Sequence, residues 1–333
     1  MSLSRFMDLA DFSPAEVEEL IALADRLQRH PEPKALDGKI LGLVFLNPSL
    51  RTLASFQAGM ARLGGSSFVI TPGQGTWGLE TRMGVRMDGA AAEHVREGLP
   101  VLASFCDALG IRAFADGKDL NADIDDSTFK SMAALVDKPF INLESAINHP
   151  CQALADWKTL NDLAIAPRSK FVLSWVPHPR ALPLAVPAAA LHMAALRGHD
   201  VVVARPEGFA LPSAIMYRAR AAAALSGGSV SETNDRAEAM QGAQVLYAKE
   251  WGCTSHYGDA AMDARLRADF SHWQVTEESF AGAMADCRLM HCLPVRRNVA
   301  VAENVLDGHR SVVLKEAHNR LVVQMAVLHR LLA

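Results

Sequence analysis

A hydroxyl, a guanidinium and a second hydroxyl stand close together at Ser49-Leu50-Arg51-Thr52, after the apolar run Leu41 to Leu46 and ahead of the amphipathic stretch Leu53 to Leu63, which Gly64-Gly65 ends. The first run reads as a buried strand and the second as a helix, so Asn47 to Thr52 falls where a strand turns into a helix N-terminus. There the first N–H groups have no internal partner and carry the positive end of the helix dipole, which favours an anion. Ser49, Thr52 and Arg51 add two hydroxyls and a rigid donor fork, a set suited to phosphate. The same residue types also make an ordinary helix cap.

Further polar groups recur at comparable places. Arg112 lies near the end of the strand-like run Gly110 to Phe114, and Glu144 through Gln152 follows the run Phe140 to Leu143 and precedes a helix at Ala153 to Leu163. A histidine before a proline, as at His149-Pro150, is more often a turn or core residue than a catalyst. Its company raises it: Ser49, Arg51, Thr52, Arg112, His149 and Gln152 all fall at the carboxyl ends of strands in one parallel sheet, where open α/β sheets bind ligands. In the second half, Lys249 and Trp251 follow a strand at Gln244 to Ala248. His291-Cys292-Leu293-Pro294 closes the strand Cys287 to Cys292 ahead of Arg296-Arg297, and Glu316 to Arg320 comes after a strand at Ser311 to Leu314.

The elements that must hold these groups alternate regularly. Ser13-Pro14-Ala15-Glu16 opens a first helix with a capping box and proline at the first helical position. Strands at Lys39 to Leu46 and Ser66 to Thr71 flank the helix after Thr52, a right-handed βαβ unit. Pro72 to Gly89 reads as a long glycine-rich loop carrying Trp77, a lid or an arm reaching a neighbouring subunit. A helix at Ala91 to Leu109 and another near Ser131 to Leu135 complete the first array. After Ile165 to Arg168, strands at Lys170 to Val176, Asp200 to Ala204, Gly228 to Ser231, Gln244 to Ala248, Cys287 to Cys292 and Ser311 to Leu314 alternate with helices at Val186 to Leu196, Pro212 to Leu225, Arg236 to Met240 and Asn319 to Leu332. The fold class is therefore α/β, with two doubly wound parallel-sheet domains. The first strand of the second array runs into the proline-rich Pro177-His178-Pro179-Arg180-Ala181-Leu182-Pro183, with no glycine fingerprint, which argues against a dinucleotide cofactor.

Composition bounds the rest. The 333 residues suit two domains, and 50% hydrophobic with 21% charged residues is the profile of a compact globular protein. A formal net charge of -4 offers no basic field, which argues against nucleic acid or membrane partners. No signal-peptide pattern and no long apolar run occurs, so a cytoplasmic location is expected. The five cysteines, Cys106, Cys151, Cys253, Cys287 and Cys292, include no CxxC pair and read as buried thiols, with no metal site and no cofactor expected.

Ser49-Leu50-Arg51-Thr52, His149-Pro150-Cys151-Gln152 and His291-Cys292-Leu293-Pro294 resemble the S-x-R-T, H-P-x-Q and H-C-L-P motifs of the aspartate/ornithine carbamoyltransferases, in the same order and across nearly the whole chain. Trp77 in a W-x-L-E-T loop, Met87-Asp88-Gly89, the PHPR loop, Tyr247 to Trp251 and HCLPVRRN are similar to the N-acylornithine branch; the D-x-x-x-S-M-G signature expected for free ornithine is not in its place. The acetylornithine type carries Glu at the position aligned with Ala92, where a carboxylate would repel a succinyl carboxylate and narrow the pocket. Ala92, Glu144 and Arg180 favour N-succinyl-L-ornithine, with N-acetyl-L-ornithine as the alternative. Leu53 departs from the arginine that commonly follows S-x-R-T.

The resemblance implies a carbamoyl phosphate domain at residues 1–150, an acylornithine domain at 151–318 and a C-terminal helix, 319–333, returning to the first domain. It also implies two domains that close on the substrates, a knot at the proline-rich loop, a role in arginine biosynthesis and a homotrimer in which the Trp77 loop completes a neighbouring site. Ser49, Leu50, Arg51, Thr52, Trp77, Arg112, His149, Gln152, Cys292, Leu293 and Arg320 would bind carbamoyl phosphate. Of these, Thr52, Arg112 and His149 would stabilise the oxyanion, while Gln152 and the Cys292-Leu293 carbonyls would orient the carbamoyl NH2. Lys249 would take the α-carboxylate, and Ala92, Glu144, Val176, Arg180, Arg236 and Trp251 would surround the acylornithine. A catalytically silent binding protein and a dinucleotide-dependent oxidoreductase are the competing classes, the first opposed by the intact Arg51, His149 and Gln152.

Overall fold

The computed structural model describes residues 3–333. They divide into two compact units: one runs through Asp116, resumes at Asn121–Cys151 and takes in Arg320–Ala333, and the other holds Gly117–Leu120 and Gln152–Asn319.

The first unit contains strands β1 (Arg5–Phe6), β2 (Ile40–Phe45), β3 (Ser66–Ile70), β4 (Leu79–Glu80), β5 (Glu93–His94), β6 (Ala108–Arg112) and β7 (Phe140–Glu144). Five of them form a parallel sheet in the order β1-β7-β6-β2-β3, while β4 and β5 pair with each other. The strands β2, β6 and β7 are almost wholly buried, as the near-continuous apolar runs of a sheet covered on both faces require. Val44, Leu109, Ile111 and Phe140 pack with Val95 and Leu99 of the helix Val95–Ser104 and with Phe129 and Met132 of the helix Ser127–Ala133. The chain steps from β2 to β3 on one side and later returns to β6 and β7 on the other. The carboxyl ends of β2 and β6 therefore flank the switch point at which such sheets open a crevice.

In the second unit, β8 (Lys170–Trp175), β9 (Asp200–Ala204), β10 (Ser229–Thr233), β11 (Val245–Lys249) and β12 (Arg288–Met290) form a parallel sheet in the order β10-β9-β8-β11-β12. Its switch point lies between β8 and β11. The helix Ala185–Leu196, apolar but for His192, has no polar stripe and is buried at every position, as expected for such a segment. Trp175, Phe209, Phe270 and Trp273 make an aromatic cluster with centroids 4.7–6.4 Å apart.

Three expectations are corrected. Ser311 to Leu314 is not a strand: Ser311 makes a single bridge to Leu289, and the helix begins at Val313 and runs to Leu332, six residues earlier than Asn319. Ala91 to Leu109 is not one helix, because Glu93–His94 pairs with Leu79–Glu80 before the helix Val95–Ser104 starts. That pairing also ties down part of the segment 72–89, which is thus not a free loop along its whole length. At Glu93–His94 backbone pairing to a distant segment outweighed the local helical pattern, whereas at Val313 and Leu314 the helix took residues expected in a strand.

Candidate functional site

Ser49 caps the helix Leu50–Arg62, its Oγ accepting the Thr52 N–H at 3.2 Å. Leu50 points its side chain outward, 81% exposed, so its backbone is the part available at the helix start. Thr52 is fully buried, and its hydroxyl oxygen accepts from Arg320 Nη2 at 2.6 Å. From the end of β6, Arg112 pairs with Glu144 at the end of β7 and stacks over the Phe114 ring at 4.5 Å. Asn47 Oδ1 accepts the Phe114 N–H at 2.7 Å, which pins the segment after β2 to the segment after β6.

His149 lies in the same cluster, 3% exposed, with Nε2 3.4 Å from Glu144 Oε2. Burial, followed by the charges of Arg320, Arg112 and Arg51, holds its pKa well below the usual 6.5, so the imidazole is neutral. A separation of 3.4 Å is too long for a committed hydrogen bond. Arg51, Arg112 and Arg320 set against Glu144 leave an excess of two positive charges in a largely dry site, the complement of a phosphate dianion. The first unit thus brings together Ser49, Arg51, Thr52, Arg112, Glu144, His149 and Arg320.

Trp77 is 63% exposed and donates its indole N–H to Glu93 Oε2 at 2.7 Å. Ala92, exposed, directly precedes Glu93, so the tryptophan and Ala92 share one neighbourhood of the first unit.

A second cluster gathers at the carboxyl ends of β11 and β12 in the second unit. Lys249 Nζ lies 3.3 Å from Glu250 Oε1, and Glu250 Oε2 lies 3.1 Å from His291 Nε2. Burial alone would push Glu250 up, but Lys249 and His291 outweigh it and hold the carboxyl below its usual range. His291 Nδ1 accepts the Leu293 N–H at 2.9 Å, which places the ring proton on Nε2 facing Glu250. Leu293 stands at φ 57°, a left-handed conformation that costs a leucine energy, held here by the His291 ring. Cys292 is buried and its thiol is pushed up to about 12 by that burial, so it is no thiolate nucleophile. Gln152 donates its side-chain N–H groups to Asp156 and Glu316.

Arg180 is exposed in the PHPR turn, where its backbone amide and carbonyl both lie within hydrogen-bond distance of His178 Nδ1. Arg296 Nε reaches His178 Nε2 at 3.4 Å, which joins two exposed guanidiniums to one turn. Residues 178, 250 and 296 had no marked role in the sequence reading; the one available signal was their place inside the PHPR, YAKEW and HCLPVRRN segments.

Two residues expected at the acylornithine have their donors engaged within the fold. Trp251 is 1% exposed and gives its indole N–H to the Phe209 carbonyl, while its own carbonyl accepts from Trp175. Arg236 spends its guanidinium on the carbonyls of Trp273 and Gln274 and lies over the Trp273 ring at 5.3 Å. Both have their donors engaged by fold contacts; Trp251 is buried, while Arg236 also lines a cavity with Asn234, Trp273 and Gln274. Val176 is buried at the end of β8, its N–H donating to the Lys249 carbonyl, and offers no side-chain polar group. Among the described residues no group of three or more His, Cys, Asp or Glu is arranged to hold a metal ion, and no helix is long and apolar enough to cross a membrane.

Comparison with known proteins agrees with this layout. Residues 4–162 match the aspartate/ornithine carbamoyltransferase carbamoyl-P binding domain, and residues 186–331 match the Asp/Orn binding domain of the same family. The chain is 37% identical to an N-acetylornithine carbamoyltransferase of Xanthomonas campestris over 98% of its own length and 97% of the relative's. With an N-succinylornithine carbamoyltransferase of Bacteroides fragilis it shares 33% identity, over 98% and 96%. A solved structure of an N-acetyl-L-ornithine transcarbamylase with one glutamate replaced by alanine, complexed with carbamyl phosphate and N-succinyl-L-norvaline, matches with a TM-score of 0.94 and 36% identity, covering 99% of this chain and 100% of that one. Two domain matches and relatives alike over nearly their full length place this chain in the aspartate/ornithine carbamoyltransferase family.

Proposed function

We infer that the protein is an N-acylornithine carbamoyltransferase that moves the carbamoyl group of carbamoyl phosphate to the δ-amine of N2-succinyl-L-ornithine, giving N-succinyl-L-citrulline and phosphate. The amine nitrogen would attack the carbonyl carbon, the bond from that carbon to the phosphate oxygen would break, and the departing phosphate would take the amine proton. Ser49, Arg51, Thr52, the Leu50 amide, Arg112 and Arg320 would hold the phosphate, with Trp77 supplied by an adjacent subunit of a homotrimer. Neutral His149, with Thr52 and Arg112, would stabilise the oxyanion, a task worth several kcal/mol when the donors are prearranged. Gln152 and the carbonyls of Cys292 and Leu293 would take the carbamoyl NH2. Lys249 would meet the α-carboxylate, Glu144 the amino-acid side, and Arg180 with Arg296 the succinyl carboxylate.

The observation that carries the choice of acyl group is Ala92. By the resemblance it is aligned with a glutamate of the acetylornithine type, and replacement of one glutamate by alanine is the change made in the N-acetyl-L-ornithine transcarbamylase complexed with N-succinyl-L-norvaline. The experiment is a paired assay of N-succinyl- and N-acetyl-L-ornithine with carbamoyl phosphate. The succinyl substrate should have the higher kcat/KM, and Ala92→Glu should lower that ratio by about 10-fold or more through carboxylate repulsion. A preference of the unaltered enzyme for the acetyl substrate would make it an acetylornithine carbamoyltransferase, the activity named for its Xanthomonas relative. Absence of turnover with any ornithine derivative would return it to the class of silent binding proteins.

A further inference from the structure

Gln152, Asp156, Tyr247 and Glu316 meet inside the second unit, and the reaction above leaves the last three without a task. Gln152 is 1% exposed and the others are fully buried. Gln152 Nε2 donates to Asp156 Oδ1 at 2.7 Å and to Glu316 Oε1 at 3.1 Å. The Tyr247 hydroxyl donates to Asp156 Oδ2 at 3.0 Å, and the backbone N–H of His291 donates to Glu316 Oε2 at 2.9 Å. Both hydrogens of the glutamine amide are thereby spent on carboxyl oxygens. Its other end, Oε1, is buried and makes no hydrogen bond among the described residues.

An amide can usually be turned end for end without change of shape, so its neighbours decide which end faces where. Here the decision is one-sided. A turned Gln152 would set its carbonyl oxygen against Asp156 Oδ1 at the present 2.7 Å, acceptor against acceptor. Tyr247 spends its hydroxyl hydrogen on the second oxygen of Asp156, which keeps that group an acceptor.

We propose that Asp156, backed by Glu316 and Tyr247, is a positioning residue that presents Gln152 to the substrate as an acceptor only, and so selects the NH2 of a carbamoyl group over a methyl or an oxygen in the same place. This rests on the carbamoyl phosphate reading. The cluster holds the glutamine through the donors it does not offer the substrate. Glu316 also holds the His291 amide, so the segment bearing the Cys292 and Leu293 carbonyls is fixed by the same pair.

The test uses two inert phosphonates of equal charge and nearly equal shape, phosphonoacetamide and acetonylphosphonate, which differ in NH2 against CH3. Calorimetric titration of the whole enzyme should show the amide binding about 10- to 100-fold more tightly, since the ketone leaves a buried acceptor unpaired. Asp156→Asn can donate to Gln152 Oε1 and lets the amide turn. It should bring the two affinities to within about three-fold by weakening the amide alone. A mere change of charge or general loosening would move both ligands together. If Asp156→Asn does not fold, Glu316→Gln carries the same test, with the ratio expected to fall about three-fold or more. A ratio near one in the unaltered enzyme, or an undiminished ratio in either folded variant, overturns the proposal. Failure of the unaltered enzyme to bind either phosphonate would instead overturn the carbamoyl phosphate reading beneath it.

Discussion

His149 is set apart from an ordinary surface histidine by what surrounds it. Burial and the guanidiniums of Arg320, Arg112 and Arg51 each disfavour the imidazolium, so the ring stays neutral with a single N–H and does not titrate near neutrality; the proposed reaction would use that N–H on the oxyanion. The same depression has a sign for stability. Below the ordinary pKa of 6.5 the unfolded chain gains a proton that native His149 refuses, so its contribution is complete above that value and is lost as pH falls toward the depressed native pKa. The slope from this one group is at most about 1.4 kcal/mol per pH unit. His149→Gln should therefore lose less stability than the unaltered protein between about pH 7.5 and about pH 5, read as the shift of the urea midpoint. Equal shifts would mean that His149 titrates normally.

At the scale of elements, the site depends on how closely β6 and β7 can lie, because their ends carry Arg112 and Glu144. Gly110 of β6 makes that approach possible: a Cβ there would come within 2.9–3.2 Å of three Leu143 side-chain atoms, its branch point among them. All three atoms move only with a change of the leucine's χ1, and the side chain that would have to swing is fully buried. Gly110→Ala should cost about 1–3 kcal/mol by overpacking, seen as a lower thermal midpoint. It should also reduce turnover by more than the unfolded fraction explains, because the shifted strand carries Arg112. A midpoint equal to that of the unaltered protein would show that the strand pair has slack.

For the whole molecule, the exposed Trp77 sets the prediction. An indole in water, held by Glu93 within its own chain, is well placed to serve another subunit. The assembly should elute at about 108 kDa, three copies of the 36.0 kDa chain. Trp77→Ala and Arg51→Ala should each be nearly inactive alone. Remixed after mild dissociation, the two should recover activity, because about a quarter of randomly assembled sites pair an intact Arg51 with an intact Trp77 from the neighbour. No recovery in mixed trimers would place Trp77 in its own chain's site.

Much was legible in the linear chain. Periodicity located most of the strands and helices, because burial of one face leaves its repeat in the residues themselves. The place of the three motif segments at strand ends indicated ligand binding, and their resemblance to the aspartate/ornithine carbamoyltransferases pointed to carbamoyl transfer. What remained hidden depended on partners far away in the chain. Arg320 meets Thr52 across 268 residues, and Glu316 meets Gln152 across 164. Glu250 becomes a bridge between Lys249 and His291 only when β11 and β12 lie side by side. Trp251 and Arg236 look, as residue types, like ligands for an acyl group, yet folding gives their donors to backbone carbonyls. The chain by itself thus determined the chemistry available at each strand end. Tertiary structure decided which donors are free and which are spent, since a buried polar group must find a partner in the fold and the linear order does not name that partner.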